Sequence, residues 1–202
     1  MAERLQLLPR GLRPAIAFPP HGVETGRLRL RRPGVKDAGA IFTAYASDPE
    51  VTRYLAWRPH RAVEDTQEFL AQCETAWETG VGHRPWVIEQ RETGTVVGMI
   101  GVDVGPRGVD VGYVLARPCW GRGYMTEALR AVCEEALRDP AIHRVSGFCD
   151  AENRASARVM EKAGMQYEGT LRRYMHHVNV APGPRDCHVF ARVRSGWGLE
   201  AP

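Results

Sequence analysis

The twenty residues from Val109 to Ala128 constrain this chain more than any others. Val109 to Ala116 is an apolar, β-branched run of the kind that is buried on both faces of a sheet. Arg117 to Trp120 interrupt it, and Gly121-Arg122-Gly123 then leads straight into an amphipathic helix. On that helix Met125, Ala128, Leu129, Val132, Ala136 and Leu137 recur at steps of three, one, three, four and one, which traces one apolar stripe. Pro140 limits its length. Strand, glycine turn and helix in that order call for a layered α/β fold.

That order is also a device for holding an anion. The first turn of a helix carries N–H groups with no internal partner, and the helix dipole adds partial positive charge there. Glycines let a phosphate approach the backbone with no Cβ in the way, and Arg122 adds charge. Two familiar phosphate loops are excluded. A P-loop needs Gly-Lys-Ser/Thr, whereas Tyr124-Met125 follows Gly123; a dinucleotide fingerprint needs Gly or Ala where Thr126 stands. Taken alone, Gly-x-Gly is weak evidence, and an ordinary tight turn between strand and helix explains it better.

The rest of the chain supplies the layers. Residues 1–23 hold Pro9, Pro14, Pro19 and Pro20 with no sustained period, and are expected to form a flexible arm or an extended segment on the body. Residues 24–202 are expected to form a single domain. Leu28 and Leu30 alternate with arginines as a first strand. Val35 to Ser47 and Arg61 to Thr79 read as helices, with a helical turn between Glu50 and Trp57. Strands are expected over 86–90, 95–104, 109–116, 143–149, 165–171 and 187–194, with a helix from Asn153 to Ala163 closed by Gly164. The sum is an α/β (α+β) fold: a mixed, mostly antiparallel sheet of six to seven strands with helices on both faces.

Composition narrows the function classes. No apolar run approaches the roughly 18 residues of a membrane span, and Arg4, Arg10 and Arg13 interrupt any secretory signal, so a cytoplasmic location is expected. The five cysteines, at 73, 119, 133, 149 and 187, contain no Cys-x-x-Cys pair, which argues for reduced thiols over a disulfide framework or zinc site. His176-His177 and His188 lack metal-ligand spacing, so no metal is expected. The formal charge of +3 comes almost wholly from arginine, with no run long enough for nucleic acid.

Tyr113-Val-Leu-Ala-Arg-Pro-Cys-Trp-Gly-Arg-Gly-Tyr-Met-Thr-Glu-Ala128 closely resembles the acetyl-CoA-binding core of the GNAT N-acetyltransferase superfamily. Asp150-Ala-Glu-Asn-Arg-Ala-Ser-Ala-Arg-Val-Met-Glu-Lys-Ala-Gly-Met165 resembles that family's second motif. Thr25-Gly-Arg-Leu-Arg-Leu-Arg-Arg32 is similar to the first strand of the branch that acetylates ribosomal-protein N-termini. The resemblance spans roughly Glu24 to Arg194 and implies acetyl transfer to a primary amine by direct attack in a ternary complex, in a monomer or homodimer. It implies that the amides of Gly121 to Thr126, flanked by Trp120, hold the cofactor's pyrophosphate, and that the backbone of Val114, Leu115 and Ala116 pairs with its pantetheine arm. It places Asn153 against the pantetheine, although Asn is equally a helix N-cap.

The proton donor departs from the family pattern. Where many relatives carry Tyr seven residues after that Asn, this chain has Met160, which donates nothing. Ser156, one turn after Asn153, is the substitute used in the ribosomal-protein branch, and is expected to protonate the departing thiolate. Asp110 stands where relatives carry a base, with Glu89 and Asp103 as rivals. Tyr54, Trp57, Glu89 and Tyr174 are candidate acceptor contacts; core packing explains the aromatics as well. Three functions stay open: a protein N-terminal acetyltransferase, a small-amine acetyltransferase (antibiotic, polyamine or amino acid), and a non-catalytic acetyl-CoA-binding module.

Overall fold

A computed structural model describes residues 18–195. In chain order it contains β1 (Gly22–Glu24), β2 (Leu28–Arg31), α1 (Ala38–Ile41), α2 (Pro49–Thr52), α3 (Val63–Thr79), β3 (Arg84–Gln90), β4 (Val96–Gly105), β5 (Gly108–Leu115), α4 (Tyr124–Arg138), β6 (Arg144–Asp150), α5 (Arg154–Lys162), β7 (Gln166–His176) and β8 (Pro184–Val193). The strands make one sheet in the order β1-β2-β3-β4-β5-β6-β8-β7. Every neighbouring pair is antiparallel except β5 with β6. A parallel step needs a crossover, and α4 provides it, which puts the glycine turn at the carboxyl end of β5.

Six consecutive residues of β4, Val97 to Val102, are buried, so this strand is covered on both faces. β5, expected to be buried on both faces, instead alternates: Val109 and Val111 are buried, while Asp110 and Gly112 are exposed because that face borders the open cavity. Trp86 and Ile88 of β3, Ile100 of β4, Leu28 and Leu30 of β2 and Leu129 of α4 are fully enclosed and join in one core. The stripe expected on α4 is buried from Met125 to Ala136.

The sheet has eight strands, one more than the sequence suggests, because Gly22–Glu24 pairs with β2. The arm expected over residues 1–23 lies outside the described residues up to position 17. Its last part is docked: Phe18 is buried edge-on to Trp86 at 6.0 Å between ring centroids, and the Trp86 Nε1–H donates to the Pro20 carbonyl at 3.0 Å.

The helix expected over Val35 to Ser47 is broken into a 3-10 turn (Val35–Asp37), α1 and a π-turn (Phe42–Ala46). Asp37 is drawn aside to Arg31 and to the Gly34 N–H. At the far end both the N–H and the hydroxyl of Ser47 bond the Phe42 carbonyl, a five-residue step that widens the last turn. That widened turn sets Tyr45 and Ala46 in the wall of the central cavity.

Candidate active site

The site begins where two strands part. The parallel pairing of β5 and β6 consists of Val109 with Val145 and Asp110 with Ser146, and then stops. On its other side β5 stays paired with β4 as far as Leu115. The Ala116 N–H donates to the Val97 carbonyl at 2.8 Å, so residues of that parity turn their polar groups into β4. Alternation therefore turns the N–H and C=O of Leu115 and Tyr113 into the gap. Of the stretch expected to pair with pantetheine, Val114 to Ala116, Leu115 turns its backbone polar groups into the gap, and Tyr113 beside it does the same. Trp120 already donates its Nε1–H to the Leu115 carbonyl at 2.8 Å, which ties the glycine turn to the end of the strand.

Gly121 and Gly123 adopt left-handed φ values of 75° and 77°, where a side chain would be strained. Gly123 is the N-cap of α4 and has no side-chain acceptor over it. The first helical bond there runs from the Glu127 N–H to the Gly123 carbonyl at 3.0 Å, so the amides of Tyr124, Met125 and Thr126 point out of the helix end unused. Glu127 fastens the β1–β2 turn over this end. It accepts from Thr25 Oγ1 at 2.6 Å, the Arg27 N–H at 2.9 Å and Arg27 Nε at 2.7 Å, and the Arg27 guanidinium stacks on Tyr124. Arg27 also donates to the Arg122 carbonyl. Opposite lie Arg154, Arg158 and Lys162, four residues apart on α5 and all lining the cavity, as does Arg130 of α4. That basic stripe escaped the sequence analysis, although its four-residue spacing is a legible signal. Open amides and surrounding cations suit a diphosphate.

The second wall is the start of α5. Asn153 is its N-cap, with Oδ1 accepting from the Ser156 N–H at 3.1 Å, and it lines the cavity as well. Ser156 Oγ lies 2.8 Å from the Tyr113 hydroxyl, which also donates to the Ser156 carbonyl at 3.1 Å. Burial pushes the Tyr113 phenol up against the smaller pull of Ser156, so the hydroxyl stays protonated at neutral pH. The sequence does not link Tyr113 to Ser156 because the two are 43 positions apart. Met160 is buried beneath Gly147, a packing residue where a donor is common. Cys119 is buried, and burial raises its thiol above the ordinary range, which makes it a poor nucleophile.

On the opposite side of the sheet the cavity has a floor made by β4 and β5. Asp103 faces Asp110 across the ladder, and the next pair on that face is Gly101 with Gly112. Asp110 accepts from Ser146 Oγ at 2.6 Å. Asp103 Oδ2 lies 2.8 Å from His83 Nδ1. A Cβ on Gly101 would fall 2.3 Å from His83 Nε2, so the imidazole occupies the space a side chain would need. Tyr54, Trp57, His60 and Phe69 form the wall above. Asn179 pins the β7–β8 loop to this wall, donating to the Thr52 and Trp57 carbonyls at 2.8 and 2.7 Å. Two expected contacts stand apart. Glu89 is held by Arg31 at 2.6 Å in a cluster with Asp37, away from the cavity. Tyr174 packs edge-on against Phe148, which does line the cavity, at 5.3 Å.

The whole space is about 1580 Å³, runs from the amides of α4 through the β5–β6 gap, and reaches the Asp103–Asp110 floor. A family model described as "Acetyltransferase (GNAT) domain" matches residues 27–166. The chain belongs to the GNAT acetyltransferase family. An uncharacterized N-acetyltransferase of Bacillus subtilis, YoaA, is 30% identical over 175 residues, covering 85% of this chain and 96% of the relative. Two solved structures share the fold at lower identity. The microcin C7 self-immunity acetyltransferase MccE, in complex with acetyl-CoA and AMP, is 19% identical with a TM-score of 0.77, covering 87% of this chain and 98% of that one. The ribosomal-protein-S5-alanine acetyltransferase of Vibrio fischeri is 18% identical with a TM-score of 0.74, over 87% of this chain and 98% of that one. This GNAT protein is an acetyl-CoA-dependent N-acetyltransferase, and its open amides, basic stripe and unpaired β5 edge fit that cosubstrate.

Proposed function

We propose that the acceptor is a protein N-terminus of the ribosomal-protein alanine type, acetylated directly in a ternary complex. The observation that carries this reading is the continuous cavity of about 1580 Å³. Sites for one small molecule run to roughly 300–1,000 Å³, so this one has room for two substrates meeting at the gap in the sheet. Its acceptor end is open, with the side chains of Asp103 and His83 55% and 45% exposed, as the terminus of a longer chain requires. The two carboxylates there attract a basic peptide. The likeness to the Vibrio fischeri enzyme supports the same acceptor.

In this reading the amides at α4 hold the diphosphate, and Leu115 and Tyr113 align the pantetheine arm by main-chain bonds. The Ser156–Tyr113 hydroxyl pair gives the departing sulfur its proton. The ammonium of the acceptor is held at the Asp103–Asp110 floor by charge attraction before it loses its proton. A small aromatic amine is the second reading, favoured by the wall of Tyr54, Trp57 and Phe69. CoA release measured with alanine-leading basic peptides and with spermidine and aromatic amines decides between them. Turnover of the peptides alone supports the proposal, turnover of small amines alone replaces it, and acetyl-CoA binding without turnover refutes both. Ser156→Ala is expected to lower kcat by about 100-fold with the acetyl-CoA dissociation constant unchanged; an unchanged kcat removes Ser156 from the acid role.

A further inference from the structure

We propose that His83, oriented by Asp103, is the general base that takes the proton from the acceptor ammonium. It deepens the assignment of amine acetylation and does not depend on which amine is the acceptor.

His83 lies in the segment between α3 and β3, and nothing in its own neighbourhood marks it. The register of the sheet makes the case. Its Nδ1 sits 2.8 Å from Asp103 Oδ2, which fixes the proton on Nδ1 and leaves a lone pair on Nε2. The ring lies over Gly101, where any Cβ would come within 2.3 Å of Nε2 and 2.4 Å of Cε1. Gly112, directly across the ladder from Gly101, adds no side chain either. Nε2 therefore faces a bare patch of floor inside the cavity. The next pair along that face is Met99 with Val114, about 7 Å further on, beside the backbone that borders the gap. That separation is bridged by an acceptor amine, directly or with one water.

The charged and titratable groups around the ring are Asp103 of β4, Asp110 of β5 and, following it on β3, Arg84. Across the cavity stand Glu50, Tyr54, His60 and His177. Asp110 is the rival base, but its carboxylate already accepts from Ser146 Oγ at 2.6 Å. Histidine is the side chain used most often as a general base, and His83 keeps a ring nitrogen free to accept the proton. Nε2 takes one proton from R–NH3+. The amine lone pair then attacks the thioester carbonyl, the C–N bond forms and the C–S bond breaks. The Ser156–Tyr113 pair gives the departing sulfur a proton, the second amine proton leaves nitrogen and passes through water to replace it on the pair, and His83 returns its proton to solvent, so that R–NH3+ and the thioester become amide, free thiol and one released proton.

The test uses the full chain with acetyl-CoA, and with both an alanine-leading basic peptide and spermidine as acceptors. His83→Gln is expected to lower kcat/KM by about 100-fold or more and to flatten the acid limb of its pH profile, with acetyl-CoA affinity unchanged. Added imidazole is expected to restore part of the rate in His83→Ala. Asp110→Asn is expected to keep the acid limb. His83→Gln retaining both the rate within twofold and the acid limb overturns the proposal, as does loss of that limb in Asp110→Asn alone. Nitrogen NMR of labelled imidazole gives an arm independent of acceptor: His83 is expected as the Nδ1–H tautomer, released in Asp103→Asn. If the wild type turns over neither acceptor, the peptide reading fails while the tautomer still decides for or against His83.

Discussion

Gly123 offers a clean measurement of how much the cosubstrate grip depends on backbone shape. Its φ of 77° lies in the left-handed region, and the nearest atom to an added Cβ would be Arg27 Nη2 at 3.5 Å, an ordinary contact. Gly123→Ala therefore introduces conformational strain and almost no collision. A single alanine held left-handed costs about 1–2 kcal/mol. If the free loop keeps its shape, the cost appears as lost stability. If the free loop relaxes, the cost appears on binding, when the amides of Tyr124 to Thr126 are drawn back into place. The two losses together should then sum to about 1–2 kcal/mol, which at about 1.4 kcal/mol per tenfold caps the affinity loss near 5- to 30-fold. Calorimetry with acetyl-CoA and denaturant unfolding measure the two parts on the same protein. Gly123→Asn is the control, because Asn tolerates this region better, and it should recover most of the loss. Equal damage from Ala and Asn, or an affinity loss far beyond 30-fold, would refute the strain argument and point to a steric role for the position.

Asp150, fully buried, anchors the start of the second motif: Arg185 Nε donates to it at 2.5 Å and His177 Nδ1 lies 3.0 Å away. Asp150→Ala should cost about 1.5–3 kcal/mol in denaturant unfolding, because Arg185 and the Glu152 N–H lose a charged hydrogen-bond partner. Burial alone would raise this carboxyl, but Arg185 and the Glu152 N–H outweigh it and hold it below the ordinary range. Its stabilisation is therefore present above the unfolded pKa near 3.9 and lost as pH falls through the lower folded value. His177 acts earlier. Burial lowers its pKa despite Asp150, so below about 6.5 the unfolded chain binds a proton that the folded one resists, and stability should begin to decline there. A Tm that is flat between pH 7 and 4.5 would contradict the His177 assignment. Asn179→Ala removes two bonds, at 2.8 and 2.7 Å, that join the β7–β8 loop to the acceptor wall. At about 0.5–1.5 kcal/mol each, the two together cost about 1–3 kcal/mol, which caps the rise in KM for the peptide acceptor near 150-fold. An unchanged peptide KM, or a shift in acetyl-CoA affinity instead, would detach the loop from acceptor binding.

What was legible in the sequence was whatever a short window determines. The apolar run from Val109, the two left-handed glycines and the stripe on α4 are each settled within a dozen residues, and they fix the strand, the turn and the open helix end together. The eighth strand was hidden because Gly22–Glu24 is only three residues long and is recognisable as a strand only through its pairing with β2. Val35 to Ser47 kept its apolar spacing but lost its regularity to Asp37 and Ser47, whose side chains compete for backbone or for Arg31.

The chemistry was hidden for a related reason. Glu89, Asp103 and Asp110 look alike as acids on strands, and only cross-strand geometry separates them. Glu89 is neutralised by Arg31, Asp110 takes a serine hydroxyl, and Asp103 takes an imidazole. The same holds for the donor side, where Ser156 acquires its meaning from Tyr113 across the gap. A glycine on β4 then proves more informative than any of these acids. Gly101 has no turn to make and no left-handed φ; its missing side chain is explained only by the ring that lies on it. A strand gives up packing to be bare at that point, and what it gains is a fixed imidazole beside two carboxylates at the open end of the cavity.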